Sequence, residues 1–202
     1  MELLWVRHGE PERIPPGSGV PADPALTVRG REQAERLAAW LAFEPIDRVL
    51  SSPQRRAIET AEPIAAAHEL QAEVVQGLVE YDATSDSYIP MEELRANNDP
   101  HLHAMYEGRW EEFGGESTES FRTRIAATLD DVIAENPGRR VVAVCHGGVI
   151  NVACAITLGL ERHLWFEPHY TSLTRMVASR TGVRSLASLN ERAHLDARRE
   201  SV

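Results

Sequence analysis

No lysine occurs in this chain: all 21 of its basic residues are arginines. That absence removes a Schiff-base amine, a pyridoxal phosphate anchor and the phosphate-gripping lysine of a P-loop, so guanidinium groups must hold any anion. Cysteine is nearly as scarce. Cys145 and Cys154 are too few for a disulfide framework and lie in no metal-ligand spacing, so buried free thiols are expected. No run approaches the roughly 18 apolar residues of a membrane span. The chain opens on a strand pattern rather than a basic-then-apolar leader, and the reading is cytoplasmic, without membrane contact. With 31 acidic residues against 21 basic ones, a net charge of −10, it lacks the broad basic face that nucleic acid requires.

What is present is the composition of an ordinary globular protein: 202 residues, 43% hydrophobic and 26% charged, enough for one core and a single domain over 1–202. Two short apolar runs each end in histidine and glycine, Leu4-Trp5-Val6-Arg7-His8-Gly9 and Val142-Ala143-Val144-Cys145-His146-Gly147-Gly148. Such runs read as interior parallel strands. Ligands of open α/β sheets bind at the carboxyl ends of those strands, so neighbouring strands would aim both imidazoles at one substrate.

Between them the pattern alternates. Residues 3–6 predict a strand, 11–24 a Pro- and Gly-rich loop, and Thr27 a cap for a helix buried through Ala34, Leu37, Ala38 and Leu41. A strand at 46–50 leads into Ser51-Ser52-Pro53, read as a serine cap with proline at the first helical position. The following helix has Ala57, Ala61, Ile64 and Ala65 as its inner face, and 72–75 is a third strand. No apolar period survives from 81 to 115, which reads as an insertion covering the site. Phe121, Ile125, Leu129, Val132 and Ile133 mark a helix stopped at Asn136-Pro137-Gly138. Residues 141–145 form a strand, 147–159 a helix, and 173–178 with 183–189 a hairpin at the sheet edge, which permits a homodimer. The tail from Glu191 is polar and expected to fray. The fold expected is α/β: a three-layer sandwich on a mostly parallel mixed sheet with an antiparallel edge strand.

Histidine is a competent nucleophile toward phosphorus near neutral pH, provided that cationic forks stabilise the phosphoryl oxygens. Arg7 adjoins His8, and Arg55-Arg56 occupy a helix start, where free amides and the dipole also favour an anion. His146, if protonated, would add a donor. His68, His101, His103, His163, His169 and His194 lack this context. His101 and His103 alternate without companion ligands, so no metal is expected.

These residues resemble the histidine phosphatase superfamily, also called phosphoglycerate mutase-like. The resemblance rests on Arg7-His8-Gly9-Glu10, on Leu26-Thr27 with Gly30 and Gln33-Ala34, and on Ser51-Ser52-Pro53-Gln54-Arg55-Arg56-Ala57 with Thr60-Ala61. Gly115-Glu116-Ser117 and His146-Gly147-Gly148 follow in order. It implies His8 as the nucleophile that becomes phosphohistidine, with Arg7, Arg56 and His146 on the phosphoryl oxygens and Gly9 and Gly147 beside them in the substrate site. Arg55 would point away, toward Glu59. Glu80 holds the place of the family's acid, with Asp82 as its substitute because the chain continues Tyr81-Asp82-Ala83-Thr84. Pro11-Glu12-Arg13-Ile14 replaces the polar residues usual in the mutases. The implied activity is a cofactor-free, metal-independent phosphomonoesterase acting on a small phosphorylated metabolite. The alternatives are a mutase-type phosphoryl isomerase and a non-catalytic module that binds a phosphorylated ligand.

Overall fold

A computed structural model describes residues 1–195, apart from the side chains of Glu92, His101 and Phe113. Six strands form one sheet: β1 (Glu2–Arg7), β2 (Arg48–Ser51), β3 (Ala72–Val74), β4 (Arg140–Cys145), β5 (Leu173–Ala178) and β6 (Arg184–Glu191), in the order β3-β2-β4-β1-β5-β6. The first four run parallel. The antiparallel strand is β5, paired with β1, and β6 turns back along it to form the edge. Glu191 ends β6 instead of opening a frayed tail, because it pairs with Leu173. Beyond it Ala193–Leu195 make a 3₁₀ turn, and 196–202 of the expected tail lie outside the described residues.

β1 and β4 lack alternation because both of their faces are covered. Leu4 and Val6 pack with Val142 and Val144 against α1 (Val28–Leu41) and α2 (Arg55–Ala67). Leu3, Trp5, Val141 and Ala143 face α5 (Thr118–Glu135) and α6 (Gly147–Leu158). These are the three layers. Thr27 caps α1 by accepting the Gly30 N–H at 2.9 Å, a contact of about 1 kcal/mol. Ser117 caps α5 in the same way through Ser120.

The start of α2 departs from the sequence reading. Its N-cap is Gln54, and Ser52 and Pro53 precede the helix. The Ser52 hydroxyl meets the His146 ring at 2.7 Å and accepts the Gln54 N–H only at 3.4 Å, so its shorter contact is tertiary. Cys145 and Cys154 are buried free thiols, the latter pushed up by burial to about 12. No helix among the described residues is long and apolar enough to cross a membrane.

The segment 81–115 contains two short helices, α3 (Met91–Ala96) and α4 (Pro100–Tyr106), and a single 3₁₀ turn. Its ends are tied by the Glu116 N–H donating to the Tyr81 carbonyl at 2.9 Å. A two-way backbone bridge between Ile14 and Tyr88 fastens it to the loop after β1.

Candidate active site

Because β1 and β4 are adjacent and in register from Glu2 with Arg140 to Arg7 with Cys145, the residues after them emerge side by side. His8 and His146, 138 positions apart in the chain, have ring centroids 5.1 Å apart. β2 lies next to β4 and delivers the start of α2 to the same edge, where Arg56 Nε lies 3.3 Å from His8 Nε2. Arg7 is the last residue of β1, one position before His8. Its guanidinium stacks 4.1 Å over Tyr170 and donates to the Pro168 carbonyl at 2.7 Å. These four side chains and Glu80 are each at most 7% exposed, so the charges sit in a poorly solvated pocket.

The His8 ring is oriented by its own chain. Nδ1–H donates to the Gly9 carbonyl at 2.7 Å, which leaves the lone pair on Nε2. Burial and the two neighbouring arginines hold His8 well below the usual imidazole range. His146 is held down by burial and by Arg56, so it is a neutral ring, and any hydrogen it offers comes from one N–H, not from an imidazolium. Its Nε2 is on Ser52, while Nδ1 is buried without a partner. Arg56 likewise keeps Nη1 buried and unpartnered, and its guanidinium lies 4.7 Å over the Tyr88 ring. Two buried polar nitrogens without partners, the Arg56 one a donor, cost stability unless a ligand completes them.

Glu80 closes the far side. Its Oε2 accepts the Gly148 N–H at 2.8 Å and its Oε1 the Tyr81 N–H, while the Gln54 side chain accepts the Glu80 N–H. Arg124 binds the carbonyls of Gly77 and Val79 and so fixes the chain just before it. A Cβ on Gly148 would lie 2.4 Å from Glu80 Oε1, so this glycine makes room for the carboxyl. Burial, reinforced by Asp82, pushes Glu80 up to about 7. Asp82 is also raised by burial, against the opposing pull of Arg56, whose Nη2 is 3.8 Å from its Oδ1.

The structure thus brings together His8, His146, Arg7, Arg56, Glu80 and Asp82. Gly147 lines the cavity beside Arg7, whereas Gly9 is committed, its N–H to Thr60 and its carbonyl to His8. Arg55 points outward and pairs with Glu59 at 2.6 Å. Sequence reasoning missed Ser52 as a partner of His146, and Gln54, Gly148, Pro168 and Tyr170 altogether. Only Gly148 carried a signal, as the second glycine of a pair.

The family model of the histidine phosphatase superfamily (branch 1) matches residues 3–191. The chain belongs to that superfamily. Phosphoserine phosphatase 1 of Hydrogenobacter thermophilus is 32% identical over 165 residues, covering 80% of this chain and 78% of that protein. An adenosylcobalamin/alpha-ribazole phosphatase of Salmonella typhimurium is 27% identical, covering 96% and 98%. Among solved structures, a histidine-to-alanine variant of phosphoserine phosphatase from Entamoeba histolytica, in complex with phosphoserine, superposes with a TM-score of 0.76. It is 26% identical and covers 96% of this chain and 98% of that one. The fold and the enzyme class expected from the sequence, a phosphatase of small phosphorylated metabolites, are those of these histidine phosphatases.

Proposed function

We propose that this histidine phosphatase hydrolyses a phosphate monoester in two steps on His8. Nε2 attacks phosphorus in line and the bond from phosphorus to the ester oxygen breaks. Glu80 then gives its proton to the departing oxygen. Water next attacks the phosphohistidine and loses its proton to Glu80, releasing inorganic phosphate and restoring both groups. Arg56, whose Nε rests on the nucleophile, transfers to a phosphoryl oxygen when substrate enters. Arg7 and the Nδ1 of His146 take the others, so that the charge developing in the transition state meets fixed donors. The Gly9 carbonyl on Nδ1 steadies the positive ring that forms as phosphorus bonds to Nε2.

The observation that carries this reading is the unprotonated Nε2 of His8, held only by the Arg56 Nε–H at 3.3 Å, beside the buried, unpartnered Nη1 of Arg56 and Nδ1 of His146. Glu80 is the acid in preference to Asp82 because a carboxyl raised to about 7 still carries its proton on about half of the molecules at neutral pH and is fixed in place by two backbone amides. We assign the segment 81–115 as a cap on a single domain, and the buried reduced thiols suit a cytoplasmic setting.

The test is release of phosphate from a chromogenic phosphate ester in excess chelator. Two arginines supply the cationic charge, so undiminished turnover is expected. Loss of turnover that returns with added metal would contradict the reading. A parallel coupled assay for phosphate migration between sugar-acid hydroxyls is expected to show none.

A further inference from the structure

Beyond the phosphoryl subsite the cavity continues to a volume of about 520 Å³, within the range that encloses a drug-sized ligand. Its outer wall comes from the cap and from the chain before β5. Ile89, Met91, Leu94, Met105, Trp110 and Phe166 line it. Trp110 is fixed in that wall: it stacks on Tyr81 with centroids 4.3 Å apart, and its indole N–H donates to the Met105 carbonyl at 2.8 Å.

Carboxylates outnumber cations among the described residues of this wall, and two of them are already paired, Glu167 with Arg95 and Glu93 with Arg13. Glu93, Asp99 and Glu167 line it, and Glu80 and Asp82 close its inner end. Once Arg7 and Arg56 hold the phosphoryl group, the remaining cation among the described lining residues is Arg13. Its Nε faces both carboxylate oxygens of Glu93 at 3.0 Å each. A second anionic group on the substrate would therefore meet no uncommitted guanidinium among the described lining residues, only Arg13 already in use on Glu93.

Resting on the hydrolytic reading above, we infer that the preferred substrate is a monoester of an uncharged, largely apolar alcohol the size of a fused ring system, and that a leaving group bearing a carboxylate is disfavoured. The phosphoryl group supplies the charge that anchors the substrate, and the Trp110 wall supplies the selectivity.

The test compares kcat/KM for 1-naphthyl phosphate, phenyl phosphate and 4-carboxyphenyl phosphate on the intact enzyme. The naphthyl ester is expected to exceed the phenyl ester by about 10-fold, through KM, as added apolar contact in such a pocket does. The carboxyphenyl ester is expected to fall at least about 10-fold below the phenyl ester, although its phenol is the better leaving group. Glu93→Gln, a partly exposed position whose change releases Arg13, is expected to narrow the gap between the phenyl and carboxyphenyl esters. Phe166→Ala is expected to narrow the gap between naphthyl and phenyl. Equal rates for the phenyl and carboxyphenyl esters, or no gain from the second ring, would overturn the inference and leave the hydrolytic reading standing. Failure to hydrolyse all three esters, with no phosphate appearing on His8, would overturn both.

Discussion

Replacing His8 with alanine is expected to lower kcat/KM by on the order of 10⁴-fold or more, the scale seen when an enzyme loses its covalent nucleophile. No other group is placed to replace it. His146 has Nε2 engaged with Ser52, and Glu80 is held by two backbone amides. Phosphate-ester binding should survive, since Arg7, Arg56 and His146 all remain, so the loss should fall on kcat rather than KM. The fold should survive as well. The His8 ring hydrogen-bonds only the adjacent Gly9 carbonyl and Arg56, while the β1 contacts that matter to packing come from residues 3–6. A His8→Ala enzyme that keeps more than about a hundredth of wild-type turnover would transfer the covalent step elsewhere or remove it.

Glu80→Gln is expected to reduce kcat by about 10²- to 10⁴-fold for alkyl esters, the contribution of a positioned acid. The loss should be much smaller for esters of acidic phenols, whose oxygens leave without a proton. In the wild type, kcat/KM is expected to decline as pH rises through about 7, where Glu80 gives up its proton, and the variant should lack that limb. Wild-type stability should fall in the same pH range, so the variant, though less active, should be the more stable of the two there. A carboxyl raised from an ordinary 4.5 to about 7 contributes stability that is complete below pH 4.5 and is lost as pH rises through 7. Above pH 7 the wild type therefore carries a cost of up to about 3 kcal/mol that glutamine does not. Thermal melts should show the variant more stable at pH 8, with the difference vanishing near pH 4.5. A variant that lost activity and also melted lower at pH 8 would mark Glu80 as a structural residue.

Much of this was legible in the sequence because the decisive signals are local. Interior parallel strands are short and apolar throughout, so β1 and β4 were visible, and a histidine after each one set the position of the site on the sheet. Arg56 was separable from Arg55 because the family resemblance sets its arginine directly before the alanine, Ala57, and one helical step of about 100° then turns Arg55 away; the structure buries the first and leaves the second on Glu59. What stayed hidden depends on distant partners. Ser52 looks like a helix cap until His146 is beside it. The two short helices within 81–115 lack enough turns to show an apolar period. Gly148 acquires its role only because Glu80, 68 residues earlier, accepts its amide. Pro168 and Tyr170 reach Arg7 through a connection with no periodicity at all.

The proposed chemistry turns on a covalent bond between phosphorus and His8 Nε2. Mixing the enzyme with a radiolabelled phosphate ester, quenching in alkali during turnover and mapping the labelled peptide would detect that bond. An acid-labile, alkali-stable label is expected on the peptide containing His8, forming and decaying no slower than turnover and absent from His8→Ala. A wild-type enzyme that releases phosphate rapidly with no label at any time, or with the label on another residue, would contradict it.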